Sequence, residues 1–404
     1  MPTINKRLAT PAKAVLGFKF PDGTTTDRDL LVVVFLRGGA DGLSLVAPYG
    51  DDGYYRNRGL TMLDSPTSGS SRRLVDLNGF FGLHPSLSPL YPFYRRGELG
   101  FVHACGSGDV TLSHFAASNT VERGLFQEQG DSTGWLARYL DALPPSVDSP
   151  VKAISIGSLL PASLAGASCA MAIQNVSDLL VRNPFGGDGL TVNSILRKMY
   201  SGTDIVSEAG RQTSALIDVL KKMPDDARGH GPLYRNDGLG RSLHQVAQLY
   251  RCDTGLAVAC IDHSGYDTHV VQGGAEGILA SALSELSKGI CEFVADLGSA
   301  QWRRTKIVVM SEFGRRVREN DGGGTDHGHG SVMMVLGGSG VNGNAVHGVW
   351  PGLHESGIDE NGNLRVTTDY RNVLFEVASS QIGTVAAKPI FPDLISKSVG
   401  ILYA

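Results

Sequence analysis

The stretch Lys306-Ile307-Val308-Val309-Met310-Ser311-Glu312-Phe313-Gly314-Arg315-Arg316 decides the fold class, because an apolar run breaks abruptly into a charged cluster. A short, continuous, β-rich apolar run marks a strand buried on both faces, and such strands belong to parallel sheets covered by helices. Open α/β sheets place their ligands at the carboxyl ends of strands. Here the polar groups continue through a glycine-rich turn, residues 321–324, into Thr325-Asp326-His327-Gly328-His329-Gly330. Glu312, Asp326, His327 and His329 are therefore expected to converge. Carboxylates and imidazoles on glycine-flanked backbone form a donor set for a divalent cation of the Zn, Mn or Fe kind. A single histidine in such a loop is more often a satisfied structural group, but four ionisable groups beside glycines at a strand end favour a site.

The same pattern recurs elsewhere in the chain. Leu30-Leu31-Val32-Val33-Val34-Phe35-Leu36 reads as a first buried strand and empties into Arg37-Gly38-Gly39-Ala40-Asp41-Gly42. Asp41 is either a turn aspartate or a side chain handed to a site. Residues 256–261 form another buried run, which opens into Asp262-His263-Ser264-Gly265-Tyr266-Asp267-Thr268-His269. Further strands are expected at 99–104, 153–156, 168–173 and 331–336. Helices are expected from His84-Pro85, over 113–123, 134–140 and 274–297, and from Thr368 to Ile382 with Thr367 or Thr368 as its cap. Ser113, in Ser113-His114-Phe115, has two open readings: a cap for orphan amides, or a hydroxyl nucleophile whose target anion sits at the positive end of the helix.

These elements define an α/β fold with a large, mostly parallel central sheet flanked by helices. The chain reads as one domain over residues 1–404, with a mainly helical insertion or cap at about 174–251 (helices at 192–200, 207–222 and 238–251). No internal repeat, P-loop or G-x-G-x-x-G after a strand is present.

Composition narrows the function. A chain of 404 residues with formal net charge −4, 19% charged and 42% hydrophobic residues is an ordinary globular protein, so no electrostatic case for nucleic acid or acidic membranes exists. Cys105, Cys169, Cys252, Cys260 and Cys291 are odd in number and lack C-x-x-C spacing, which argues for reduced thiols over a disulfide framework or a thiolate zinc site. Residues 1–17 carry basic side chains but no long apolar stretch, so a cytoplasmic protein is expected, with neither signal nor membrane helix.

The segments 35–42, 113–115, 266–269, 311–315 and 324–328 together resemble the DUF1501 family, which looks like a branch of the alkaline phosphatase and sulfatase superfamily. The resemblance runs from about Leu30 to the C-terminal helix. It implies a strand-end metal site in which Asp41, Asp267, His269 and His327 are ligands and Ser113 is the nucleophile. Glu312-Phe313 stands where that superfamily usually has an Asp-His pair, which removes one ligand, and Glu312 and His329 are candidates to complete the set. The divalent ion implied is Zn, with Mn, Mg, Ca or Fe as alternatives, and Arg37 or Arg315 would grip phosphate or sulfate oxygens. The expected activity is a metal-dependent hydrolase or transferase acting on a small-molecule phosphate or sulfate ester. The alternative is a non-catalytic, metal-stabilised scaffold or binding protein of the same fold.

Overall fold

A computed structural model describes residues 28–127, 133–144, 151–176, 190–221, 237–252 and 254–403. Its strands are β1 (Leu30–Leu36), β2 (Val46–Ala47), β3 (Val75–Asp76), β4 (Gly82–Leu83), β5 (Leu99–Gly106), β6 (Ala153–Ile156), β7 (Ala170–Ile173), β8 (Val258–His263), β9 (Thr305–Met310), β10 (Ser331–Gly337), β11 (Val346–His347) and β12 (Thr368–Asp369). The central sheet has the order β11-β5-β10-β9-β1-β8-β6-β7, with β12 also paired to β5, while β2, β4 and β3 form a small separate sheet. Within the central sheet only β10 runs against its neighbours, β5 and β9, and the other pairings are parallel; in the small sheet β4 is antiparallel to β2 and β3. The mostly parallel sheet expected from the apolar runs is therefore present.

Strand β1 sits at the centre because both its faces are apolar. Leu30, Val32, Val34 and Leu36 enter one hydrophobic cluster, and Leu31, Val33 and Phe35 enter the other. Alternate side chains of a strand point to opposite faces, so a seven-residue apolar run needs cover on both sides. On one side that cover is α9 (Ile278–Trp302), whose Leu279, Leu283, Leu286, Ile290 and Phe293 form a buried stripe at three- and four-residue spacing. On the other side lie α5 (Trp135–Ala142) and α10 (Tyr370–Ile382).

The remaining α-helices among the described residues are α1 (Gly42–Leu45), α2 (Asp52–Asn57), α3 (Tyr91–Arg95), α4 (His114–Glu122), α6 (Leu190–Met199), α7 (Ile205–Lys221), α8 (Gly238–Arg251) and, after α10, α11 (Thr384–Ala387). The helix expected from His84-Pro85 begins instead as a 3-10 turn, Pro85–Leu90, which runs into α3. Three helices stand where the insertion was read, but α8 is no cap: its Leu239, Leu243, Val246, Ala247 and Leu249 lie in the core beside α9. The break expected at residues 224–233, the prolines at 145 and 150, and the N-terminal lead-in fall outside the described residues. Helix α10 starts two residues later than expected, after β12 has taken both Thr368 and Asp369, and is capped by Asp369, whose carboxylate accepts from the Arg371 amide. No helix among the described residues is long and apolar enough to cross a membrane.

Candidate metal centre

Three segments that follow or precede sheet strands meet at one point. The loop after β5 and the first residue of α4 bring His114, the loop after β8 brings Asp267 and His269, and the segment between β9 and β10 brings His327. Donor atoms of His114, Asp267 and His327 all lie within 4.8 Å of one another. His269 Nε2 is 2.9 Å from His327 Nε2 and 3.1 Å from Asp267 Oδ1, and His327 Nε2 is 3.2 Å from the same oxygen.

Hydrogen bonds orient the three rings. His327 Nδ1 lies 2.8 Å from the Leu112 carbonyl, which can only accept, so Nδ1 carries the proton. His114 Nδ1 lies 2.8 Å from Glu312 Oε1, and His269 Nδ1 faces Asp326 Oδ1 at 3.3 Å. Each ring thereby turns Nε2 toward the Asp267 carboxylate. Three imidazole nitrogens gathered on one carboxylate are a donor set suited to a divalent cation. Two imidazole nitrogens bound tetrahedrally to one zinc ion at about 2.0–2.1 Å stand about 3.3–3.4 Å apart, and the His269–His327 pair at 2.9 Å is closer than that. The donor types gathered here, imidazoles and a carboxylate, fit a divalent ion. The buried Nε2 of His114 has no hydrogen-bond partner and sits 3.5 Å from Asp267 Oδ2.

The surroundings hold these donors in place. Glu312 is buried and takes the Gly38 amide at 2.9 Å, Ser311 Oγ at 2.8 Å and His114. A carboxylate on the far nitrogen of an imidazole orients the ring and raises its basicity. Glu312 thus supports the centre through His114. Partial burial pushes the Asp267 carboxyl up, but the Arg315 guanidinium at 2.5 Å, His327 and His269 outweigh it and bring it down to about 2. Burial lowers the His327 imidazole, against the opposing pull of the Leu112 carbonyl and Asp267. Leu112 and Val271, non-glycine residues in loops that carry these groups, have φ of 54° and 50°. Such backbone costs of order 1–3 kcal/mol each and persists where surrounding structure enforces it, commonly at functional sites.

Several expected residues lie elsewhere. Asp41 is fully buried, and its carboxylate is claimed by the two terminal nitrogens of Arg58, by Ser44 Oγ at 2.6 Å and by Gln272 Nε2 at 2.8 Å. It has no place in the centre. Arg315 is buried, spends its guanidinium on the carbonyls of Gly38, Gly39, Tyr266 and Thr325 as well as on Asp267, and so is a staple rather than an anion clamp. Arg37 lies against Glu122 and Asp262, with its charge over the Phe35 ring at 4.0 Å. His329 donates Nε2 to the Ser107 carbonyl at 2.8 Å and stays apart from the cluster. Ser113 is the N-cap residue of α4, yet its side chain makes no capping hydrogen bond.

Sequence reasoning quoted His114 only as part of a helix start. The available signal was its place directly after the loop that leaves the carboxyl end of β5, the same rule that picked out Asp267 and His327. Arg58, the partner of Asp41, carried no such signal.

A mixed, mostly parallel sheet with a His- and Asp-lined centre at its carboxyl edge defines the class of molecule. The chain belongs to the family described as protein of unknown function (DUF1501), whose model matches residues 28–388. No curated protein matches it. Among solved structures, a Bacteroides thetaiotaomicron protein described as a sulfatase is 10% identical and aligns over 92% of this chain and 76% of that one, with TM-score 0.39. Alkaline phosphatase from the Antarctic bacterium TAB5 is 10% identical over 90% of this chain and 99% of that one, with TM-score 0.30. A 2-O GAG sulfatase is 12% identical over 87% of this chain and 71% of that one, with TM-score 0.34. Likenesses this distant carry no chemistry across, and the centre is judged on its own atoms.

Proposed function

We propose that the protein is a metal-dependent hydrolase or transferase of small phosphate or sulfate esters, with Ser113 as nucleophile. The observation that carries this reading is the convergence of three imidazoles on Asp267, whose carboxyl is held well below the usual range. A divalent ion held by His114, Asp267, His269 and His327, most readily Zn by its nitrogen-rich donors, supplies Lewis-acid polarisation of the ester and neutralises charge that develops on it.

The chain's own residues do the rest. Glu312, Asp326 and the Leu112 carbonyl orient the three rings, and Arg315 keeps Asp267 ionised. The orphan amides and positive end of α4 face the anion. Ser113, free of the capping bond, attacks with its Oγ: the new bond forms from Oγ to phosphorus or sulfur as the bond to the ester oxygen breaks, and the hydroxyl proton passes through solvent to that leaving oxygen. Water, or an acceptor alcohol in a transferase, then releases the seryl ester. Because Asp41 is neutralised by Arg58, it adds no donor, and one ion per chain is expected. The test is elemental analysis of the purified chain and of His269→Ala and His327→Ala, together with a survey of aryl phosphate monoesters, diesters and sulfates. One divalent ion in the parent and none in the variants, with turnover in the parent alone, is the expected result; equal metal content in all three refutes the centre.

One observation favours the alternative, a metal-stabilised scaffold or binding protein. Arg37 and Arg315, the two arginines best placed by sequence to grip an ester, are both engaged with protein groups. Stoichiometric metal with no turnover of any ester would select that reading.

A further inference from the structure

Of the three rings at the centre, His269 has the weakest direct support. His114 leans on the buried Glu312 at 2.8 Å and His327 on a backbone carbonyl at 2.8 Å, whereas His269 Nδ1 stands 3.3 Å from Asp326 Oδ1, on a carboxylate that is 43% exposed. Water competes for so exposed a group, and the carboxylate alone would leave the ring free to turn. A further side chain fixes both. Asn320 Nδ2 donates at 3.0 Å to Asp326 Oδ1, the oxygen that faces the ring, and at 2.9 Å to the carbonyl of His269 itself. Asn320 Oδ1 accepts from the amides of Gly322 and Gly324 at 2.9 and 3.1 Å. Backbone amides only donate and carbonyls only accept, so the carboxamide has one orientation, with both protons and both lone pairs in use.

The backbone brings the two loops together at the same place. Val271 N donates to the Gly322 carbonyl at 2.9 Å, Gln272 N to that of Gly323 at 3.0 Å, and Thr325 N to that of Thr268 at 3.1 Å. A side-chain carbon at Gly324 would come within 2.4 Å of the His269 carbonyl, so the approach needs glycine. We propose that Asn320 is a positioning residue for His269: its carboxamide fixes the ligand's own backbone against the carboxylate behind its ring, which keeps Nε2 on Asp267 and on the ion that these donors take. Aspartate at this position has no proton to give, and serine is too short to reach both acceptors while holding the turn. The role rests on the metal centre proposed above and is independent of any ester chemistry there.

The experiment is zinc binding to the full chain by competitive chelator titration, with the melting temperature of each metal-free protein measured alongside. Asn320→Asp keeps the side chain's shape and its acceptor for Gly322 and Gly324, loses both donors, and sets a like charge beside Asp326. A negative charge added near a cation site tightens binding when position is irrelevant, so weaker binding isolates the positioning role. Asn320→Asp and the uncharged Asn320→Ser, which keeps an acceptor for the turn, are both expected to bind zinc about 10–100-fold more weakly than the parent, with metal-free melting close to the parent's. Because Asn320 and Asp326 act on one ring, the loss in Asn320→Ser with Asp326→Ala should be smaller than the product of the two single losses. Should Asn320→Ser melt early, Asn320→Asp decides alone. Zinc binding by Asn320→Asp as tight as the parent's or tighter, or single losses that multiply in full, overturns the positioning role and leaves the centre standing. A parent that takes up no zinc overturns the centre, and this role with it.

Discussion

Glu312 makes three hydrogen bonds as an acceptor while shielded from solvent, so its chemistry is spent on neighbours, His114 foremost. Replacing it by Gln removes the charge and leaves one acceptor oxygen where the Gly38 amide and His114 Nδ1 both donate. Metal affinity of Glu312→Gln should fall about 10–100-fold, the usual cost of losing such a supporting group, as read by competitive chelator titration; unchanged affinity would reduce the pair to a structural hydrogen bond. Ser113 is sharper. Because its hydroxyl caps nothing, Ser113→Ala should melt within about 0.5 kcal/mol of the parent, below the usual range for losing an N-cap, retain metal and lose turnover. Recovery of activity by Ser113→Asp would end the nucleophile assignment. His329→Ala should keep its metal, since that ring serves the Ser107 carbonyl.

What the sequence conveyed at this scale was position, and what it hid was prior engagement. Asp267, His269 and His327 were legible because strand ends hand polar groups to one edge. Asp41 and Arg37 satisfy the same rule, yet Arg58, Glu122 and Asp262 claim them across folded distance that no local pattern encodes.

At the scale of elements, buried strands were legible to within two residues because apolar runs on both faces leave little choice of register. Helix starts were less so, and α10 shows why: Thr367, Thr368 and Asp369 are all capping types, and it is the pairing of Thr368 and Asp369 with Cys105 and Gly106 that carries the strand up to Asp369 and delays the helix. Asp369→Ala should cost about 0.5–2 kcal/mol in chemical denaturation, and Thr367→Ala much less.

The loop that joins β1 to α1 offers a charge test. Burial pushes the Asp41 carboxyl up, but Arg58, with hydrogen bonds from Ser44 and Gln272, outweighs it and holds it below the usual carboxylate range. A depressed folded pKa means stability that is present above the unfolded value of about 3.9 and lost as pH falls through the lower folded one. Stability measured by denaturant should therefore drop on acidification below about pH 4, and Asp41→Asn should flatten that slope. Arg58→Met, which strands the buried carboxylate, should cost about 3–5 kcal/mol.

For the whole molecule, the centre ties together loops that lie far apart in sequence, so an ion bound there favours only the folded chain. At a free concentration 100 times its dissociation constant it adds about 2.7 kcal/mol. Chelation should lower the melting temperature of the parent and leave that of His327→Ala unmoved, as read by calorimetry; equal sensitivity of both would place the ion elsewhere.

The central position of β1 has a consequence for the protein's birth. Its partners are β8, in the register Leu31 to Val258, and β9, in the register Leu30 to Thr305. A ribosome moving at about 5–20 residues per second delivers those partners roughly ten seconds to a minute after β1 has emerged. Throughout that interval a seven-residue apolar strand waits unpaired, with every neighbouring nascent chain on the polysome offering the same segment. Such a strand is an aggregation hazard until β8 and β9 arrive, so yield should depend on holding chaperones and on slow, cool expression more than on the stability of the finished fold.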